Sequence, residues 1–395
     1  MTRKITYLDN AATTFPKPEV VYQAQDEYSR LAANPGRGAH KLAMESARRL
    51  FEARNSVAAL LGIKNVERLV FTPGCTYSIN MALKGLGLKA DDVVMVGALE
   101  HNAVMRPLRQ LEQEVGIKVA FLPYAAKGVV DLHSFIEGML KVHPRLVIVS
   151  EGSNVTGETI DIRSIAAICG AHKVPLMIDA AQTAGRSKLS IEELGIAIWC
   201  ASGHKSMFGV PGCGLLYVAP NVQLHPLVAG GTGSRSDEFD MPDQFPDHLE
   251  PGTLAGPAIA ALGAAARWIM ETGVDNIIQH EMVLTRQFLD WTTQWQVVRI
   301  YGNRSSGGTA VVSFDVPGVA CDRVAQILDD EFGIAVRTGL HCAPSAHGTL
   351  GTMETGLVRV SFSCFNTAED VALLCEALQS IATRRDAGEL HAGVS

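Results

Sequence analysis

The stretch Trp199-Cys-Ala-Ser-Gly-His-Lys-Ser-Met-Phe-Gly-Val-Pro-Gly-Cys-Gly214 decides how the chain is read. An apolar run, predicted as a strand over residues 198–201, ends at Ser202, His204 and Lys205, and a glycine-rich turn leads into a second apolar run, Gly214-Leu-Leu-Tyr-Val218. Lys205 is thereby held at the end of a buried strand. A desolvated ammonium there has a lowered pKa, and the resulting amine can condense with an aldehyde. A lone lysine is usually a solvated surface charge. Ser202 and His204 beside it, both able to bond a phosphate, turn the reading toward a site.

Two segments upstream repeat the pattern of polar residues placed just after an apolar strand, where ligands collect in open α/β sheets. In Leu176-Met-Ile-Asp-Ala-Ala-Gln182 a carboxylate ends a strand. Buried, Asp179 needs a cation or strong hydrogen bonds. A protonated ring nitrogen would serve, and capping the next helix is the competing reading. In Val70-Phe-Thr-Pro-Gly-Cys-Thr76 a glycine turn opens a helix-like run, Tyr77 to Lys84. Its free N–H groups and the Thr76 hydroxyl suit a phosphate, although an ordinary strand-to-helix turn reads the same way.

Further strands are expected over residues 68–72, 92–96, 118–122, 146–150, 176–179 and 214–218. Their uniform apolarity predicts a mostly parallel sheet covered by helices on both faces, an α/β fold. Residues 221–256 are rich in Gly, Pro and Asp without periodicity, which at this length marks a functional segment. Helices are expected over 257–273 and 275–295, with strands near 309–314, 334–338 and 357–362. Thr367-Ala-Glu-Asp370 reads as a capping box opening a last helix that ends near Arg385, with a frayed tail from Asp386. The expected division is an N-terminal segment, 1–14, a large cofactor-binding domain, 15–257, and a small α+β domain, 258–395.

A chain of 395 residues, 47% hydrophobic, can bury cores for two domains. Its 41 acidic and 34 basic residues are interspersed, giving a net charge of -7 and no basic cluster, so nucleic acid is not an expected partner. The sequence shows no signal peptide and no membrane span, so a cytoplasmic protein is expected. Eight scattered cysteines without a Cys-x-x-Cys pair predict no metal site and mostly reduced, buried thiols.

Taken together, Ser-Gly-His-Lys205 and the Asp179-Ala-Ala-Gln182 upstream of it resemble the class V branch of the pyridoxal 5'-phosphate (PLP) transferases, with the aspartate-aminotransferase-like fold type I. The resemblance also runs through Tyr7-Leu-Asp-Asn-Ala-Ala-Thr-Thr14, Glu100-His-Asn-Ala103, Ser153-Asn-Val-Thr-Gly157 and Arg359-Val-Ser-Phe362. It implies PLP as a Schiff base on Lys205, with Asp179 on the pyridinium nitrogen, Gln182 on the phenolate oxygen and His101 stacked on the ring. It also implies phosphate contacts from Cys75, Thr76, Ser202 and His204. Cys75 stands where many relatives have Thr, so one of those contacts is expected to be weaker. Thr253, in Glu250-Pro-Gly-Thr253, would reach the cofactor of a second subunit, implying a homodimer. Asn154 and Arg359 would bind the substrate carboxylate. On strand alternation alone Arg359 lies opposite the valine face and would be solvated.

The segment Val336-Arg-Thr-Gly-Leu-His-Cys-Ala-Pro344 resembles the Arg-x-Gly-x-His-Cys-Ala stretch of SUF-type, or group II, cysteine desulfurases. That resemblance implies conversion of L-cysteine to L-alanine, a persulfide on Cys342, proton transfer by His101 and a sulfur-acceptor protein as partner. His341 and the glycine-rich loop are expected to favour thiolate formation. Leu340 departs from the second His common in that group. The Gly230-Gly-Thr-Gly-Ser-Arg-Ser236 run has no assigned purpose. Other readings are a selenocysteine lyase, an aminotransferase or β-eliminating lyase with Cys342 merely structural, and a non-catalytic PLP-binding scaffold.

Overall fold

The computed structural model describes residues 5–35, 38, 40–122, 131–187, 190–302 and 308–390. The strands are β1 (Thr6–Tyr7), β2 (Leu69–Thr72), β3 (Val93–Val96), β4 (Lys118–Phe121), β5 (Leu146–Ser150), β6 (Leu176–Asp179), β7 (Ile198–Ser202), β8 (Gly214–Val218), β9 (Arg299–Tyr301), β10 (Val311–Asp315), β11 (Ile334–Ala335), β12 (Arg337–Gly339) and β13 (Leu357–Ser361). The helices are α1 (Glu19–Leu31), α2 (Lys41–Leu60), α3 (Cys75–Gly85), α4 (Asn102–Glu114), α5 (Leu132–Val142), α6 (Ile162–Ala171), α7 (Gly256–Thr272), α8 (Val274–Trp295), α9 (Cys321–Ile327), α10 (Pro344–Leu350) and α11 (Ala368–Asp386).

Seven strands form one sheet in the order β2-β8-β7-β6-β5-β3-β4. β8 runs antiparallel to both neighbours, and the other pairs are parallel. Alternation along each strand feeds two cores. Val147, Val149 and Ile178 point to the face covered by α1, α2, α6 and α7, while Leu146, Ile148 and Met177 point to the face covered by α3 and α4. This double burial is why most of the strands read as unbroken apolar runs; the edge strand β4 departs from it, with Lys118 and Phe121 exposed. A fully buried Leu or Ile contributes ~1.5–3 kcal/mol, so a one-residue slip of register, which would exchange the two faces, is strongly disfavoured.

A four-stranded antiparallel sheet, β12-β13-β10-β9, carries the third core, in which Phe288 of α8 and Leu374 and Leu378 of α11 pack on Val312, Phe314, Val358 and Val360. The capping box forms as expected: Thr367 Oγ1 accepts the Asp370 N–H and Asp370 accepts the Thr367 N–H. β1 pairs in parallel with β11. The run expected as one strand over 334–338 is thus two, each with a different partner, and β9, a short edge strand, carried too few apolar residues to be foreseen. Helix α7, assigned to the second unit from sequence, places Ile259, Leu262 and Ile269 in the first core, because an amphipathic pattern does not say which core it faces. The tail expected to fray is docked through buried Leu390. Residues 391–395 lie outside the described residues.

Candidate active site

The parallel strands of the large sheet end at one edge, and a cavity of about 170 Å³ opens there. Asp179 ends β6, Ser202 ends β7 and Ser150 ends β5. All three line the cavity with Lys205, His101 and Gln182. Lys205 is held from behind by the N-terminal segment. Its carbonyl accepts from Thr14 Oγ1 at 2.7 Å, and the His204 carbonyl accepts from Lys17 Nζ at 2.8 Å and Thr13 Oγ1 at 3.0 Å. Burial lowers the Lys205 pKa, with Asp179 only partly opposing the shift. It also lowers Lys17 to about 8.

Asp179 is buried, and its Oδ1 accepts the Ala181 N–H at 2.9 Å and the Cys75 thiol at 3.6 Å. The Cys75 side chain therefore turns to Asp179 rather than serving a phosphate. Burial and the Asp179 charge raise its pKa well above the thiol range, so it remains a donor. Gln182 Nε2 donates to the Ala11 carbonyl at 3.0 Å. His101 caps α4, its Nδ1 accepting the Ala103 N–H at 3.0 Å. Burial and the nearby Lys205 charge lower its pKa to about 4. The ring is neutral, with its proton on Nε2. Under it, Glu100 accepts the Ser150 N–H and bonds the Ser150 hydroxyl, each at 2.7 Å, and burial raises its carboxyl to about 8.

At one end of the cavity the donors fit a phosphate. Helix α3 starts at Cys75, two residues earlier than its apolar pattern suggested, with Gly74 as an N-cap that offers no side chain. The first turn of α3 at Cys75 and Thr76 lines the cavity together with Ser202 and His204, so its N–H groups are available to an anion. Among the described residues His204 Nδ1 is buried without a partner. Burial, with Lys205 and Lys17 nearby, lowers His204 to about 4. Gly214 makes the approach possible: a Cβ there would lie 2.4 Å from the Gly74 carbonyl carbon.

Arg359 is not solvated. It is 2% exposed, because the N-terminal segment covers the face of β13 that alternation leaves open. NH2 pairs with Asp9 at 2.7 Å, NH1 donates to the Asn154 carbonyl at 3.1 Å, and Nε has no partner among the described residues. A buried, unmet guanidinium donor matches a carboxylate. Arg337, directly across the sheet from Arg359, adds positive potential at Lys205 and His101. The sequence reading passed it over, although it stands in the quoted Val336–Pro344 stretch.

Cys342 is exposed and lies outside the residues lining the cavity. Its turn is nevertheless tied to it: Asn154 Nδ2 donates to the His341 carbonyl at 2.7 Å and the Asn102 N–H, next to His101, donates to the Cys342 carbonyl at 2.8 Å. His341, expected to favour the thiolate, is instead buried at 4% exposure. Desolvation and Arg359 lower its pKa to about 2. It stays neutral and supplies no charge to the thiol. Thr253 lies apart, exposed, lining two other depressions of the same chain. Its loop is fixed by the buried Arg54–Glu250 pair at 2.8 Å. Among the described residues no group of three or more potential ligands could hold a metal ion, and no helix is long and apolar enough to cross a membrane.

Residues 6–374 match the family model described as aminotransferase class-V. The chain is 34% identical over 386 residues to a probable cysteine desulfurase of Methanothermobacter thermautotrophicus, covering 96% of this chain and 95% of that protein. Among solved structures it is similar to a cysteine desulfurase of Thermococcus onnurineus in its apo form, with a TM-score of 0.90, 30% identity and coverage of 96% and 95%. It is also similar to the S-sulfonic acid form of the Escherichia coli cysteine desulfurase CsdA, with a TM-score of 0.85, 29% identity and the same coverage.

Proposed function

The chain belongs to the class V aminotransferase family of enzymes, and from that premise we propose that it is a PLP-dependent cysteine desulfurase that converts L-cysteine to L-alanine and collects the sulfur on Cys342. The observation that carries the reading is the tie between two chemistries. The turn bearing the exposed thiol is hydrogen-bonded to Asn154, in the wall of the Lys205 cavity, and to Asn102, next to His101 in that wall.

The residues present fit PLP. Ser202, His204 and the uncapped start of α3 suit its phosphate, Asp179 its ring nitrogen and Lys205 its aldehyde. When bound, the cofactor supplies an electron sink for charge developing on the substrate α-carbon. Lys205, its pKa lowered by burial, would hold the cofactor through Nζ and is the amine placed to take up the substrate α-proton. Arg359 Nε receives the substrate carboxylate, with Asp9 and the Asn154 carbonyl fixing the fork. Sγ of Cys342 attacks the substrate sulfur. The S–S bond forms as the Cβ–S bond breaks, the electron pair stays with the carbon, and a proton delivered to Cβ together with return of the α-proton from Lys205 Nζ to Cα completes alanine. His101 Nε2–H faces this step as a proton donor.

Large apolar residues stand exposed on α1, α2 and the segment after β8: Leu31, Leu42, Met44, Phe51, Val228 and Phe239. Phe51 and Thr253 line one depression. An apolar face of this kind supports a homodimer in which Thr253 serves the second subunit's site. The same reading carries a soluble, cytoplasmic enzyme that hands sulfur to an acceptor protein. Intact-mass analysis after L-cysteine, paired with alanine measurement, tests the function: alanine and about 32 Da on Cys342 are expected. An oxo acid in place of alanine, or sulfur on another cysteine, overturns it. Turnover of selenocysteine with none of cysteine assigns the site to selenium.

A further inference from the structure

Cys342 follows directly on His341, and both have left-handed backbones, with φ of +56° and +50°. For residues with a side chain this conformation is disfavoured and persists only where the surroundings hold it. On the outer side the turn is held by the bonds from Asn154 and Asn102. Its inner side rests on a second histidine. After Cys342 the chain enters α10, ends it at Gly351 with φ of +70°, and returns so that the Thr352 N–H donates to the His347 carbonyl at 2.9 Å.

Inside this loop the rings of His341 and His347 stack, with centroids 5.6 Å apart and planes 18° apart. His341 Nδ1 lies 3.4 Å from His347 Nε2, and His347 Nδ1 lies 2.8 Å from Thr352 Oγ1. His347 and Thr352 are 0% and 2% exposed. Each ring in the chain is oriented by the next, and the tautomers are linked: a proton on His347 Nδ1 places one on His341 Nδ1, and a proton donated by Thr352 reverses both. Rotating His341 out of the stack would leave His347 Nε2 buried and unpaired. The third point of support for the strained turn is therefore His347, anchored by Thr352.

We propose that His347 is a positioning residue for Cys342, holding through His341 the left-handed turn that presents the thiol at the Lys205 cavity. The inference rests on the reading of Cys342 as the sulfur acceptor. His347 does not line the cavity, so bound cofactor is expected to be insensitive to it.

The test compares the PLP-loaded wild-type enzyme with His347→Leu, His347→Gln and Thr352→Val. Gln carries its amide to where Nε2 lies and can restore the bond to His341; Val removes only the hydroxyl and serves should His347→Leu fail to fold. Two readouts are taken. Hydrogen exchange at the Ala343 amide, bonded to the Leu340 carbonyl at 2.8 Å, reports the turn without any turnover. Steady-state alanine release from L-cysteine separates kcat from KM.

Displacing a nucleophile by about 1 Å costs ~100-fold, so His347→Leu should lose ~10- to 100-fold in kcat with KM and bound PLP nearly unchanged. Exchange at Ala343 should be faster, His347→Gln should recover most of kcat, and Thr352→Val should fall between. Unchanged exchange and kcat in a folded, PLP-loaded His347→Leu or Thr352→Val protein would overturn the proposal, as would a loss confined to KM. Sulfur found on another cysteine of the wild-type enzyme would instead sink the reading of Cys342, and that result needs no variant; the exchange readout would still decide whether His347 holds the turn.

Discussion

The Lys205 cavity and the Cys342 turn meet opposite physical demands. In the cavity the strand ends are fixed in a sheet, Asp179 is almost wholly buried, as is Arg359 nearby, and desolvation holds Lys205 and His101 toward their neutral forms. Low dielectric and fixed donors make such a place effective for stabilising charge. Cys342 is exposed, and the disfavoured backbone of its turn is held by hydrogen bonds and by the small buried cluster of Val155, Ala343, Ala346 and Leu357. Under the proposed function, a thiol that accepts sulfur inside and delivers it outside cannot be sealed in. That reading keeps the proton chemistry dry and puts the sulfur chemistry at the rim, the two joined by two hydrogen bonds.

The largest effect should come from breaking the cavity at its amine. Lys205→Ala should abolish the borohydride-reducible cofactor adduct and lower alanine release by ~10³-fold or more, while the protein stays folded by circular dichroism. A reducible adduct on another lysine would show that Lys205 was misassigned. Breaking the other region should separate the two: Cys342→Ala should lower alanine release by ~100-fold or more yet keep the cofactor absorbance and its response to L-cysteine. Near-normal release from this variant would return Cys342 to a packing role.

Arg359→Lys keeps the charge but loses the fork, and Asp9→Asn loosens the fork in place. Since a hydrogen bond to a charged group contributes ~1.5–3 kcal/mol, kcat/KM should fall ~10- to 100-fold for the first and less for the second. An equal fall in kcat with unchanged KM would argue against carboxylate binding. Cys75→Ala removes the thiol bond to Asp179 and should alter the cofactor's absorbance more than its content, with a rate change of only a few-fold. An unaltered spectrum would make Cys75 a filler.

The smallest expected effect is on stability. Glu100 holds its proton in the fold up to about 8, against an ordinary value of 4.5. Its contribution is fully present below 4.5 and is lost as pH rises through 8, where the folded state must give up a proton the unfolded state has already lost. Glu100→Gln should match the wild type at the acid end of that window and exceed it in denaturant midpoint at the alkaline end. The depressed histidines act with the opposite sign. His101 and His204 contribute stability above 6.5 that fades as pH falls toward 4. A variant with the wild-type slope throughout would remove Glu100 from this account.

Periodicity alone made the large sheet and its active edge legible. Uniformly apolar runs read as strands buried on both sides, which holds for all but β4, whose Lys118 and Phe121 are exposed, and a polar residue at the end of such a run, as with Asp179, Ser202 and Lys205, must emerge at the sheet's edge. The family resemblance added roles to those positions. Neither could show that Arg359 is buried against Asp9, 350 positions away in the chain, that α7 belongs to the first core, that Cys75 turns to Asp179, or that His341 faces His347 instead of the thiol. Period fixes which face of an element a side chain takes, because that depends on local backbone geometry. What covers that face, and so which charges survive and which donors are left unmet, depends on segments hundreds of residues apart, and only the folded chain brings them together.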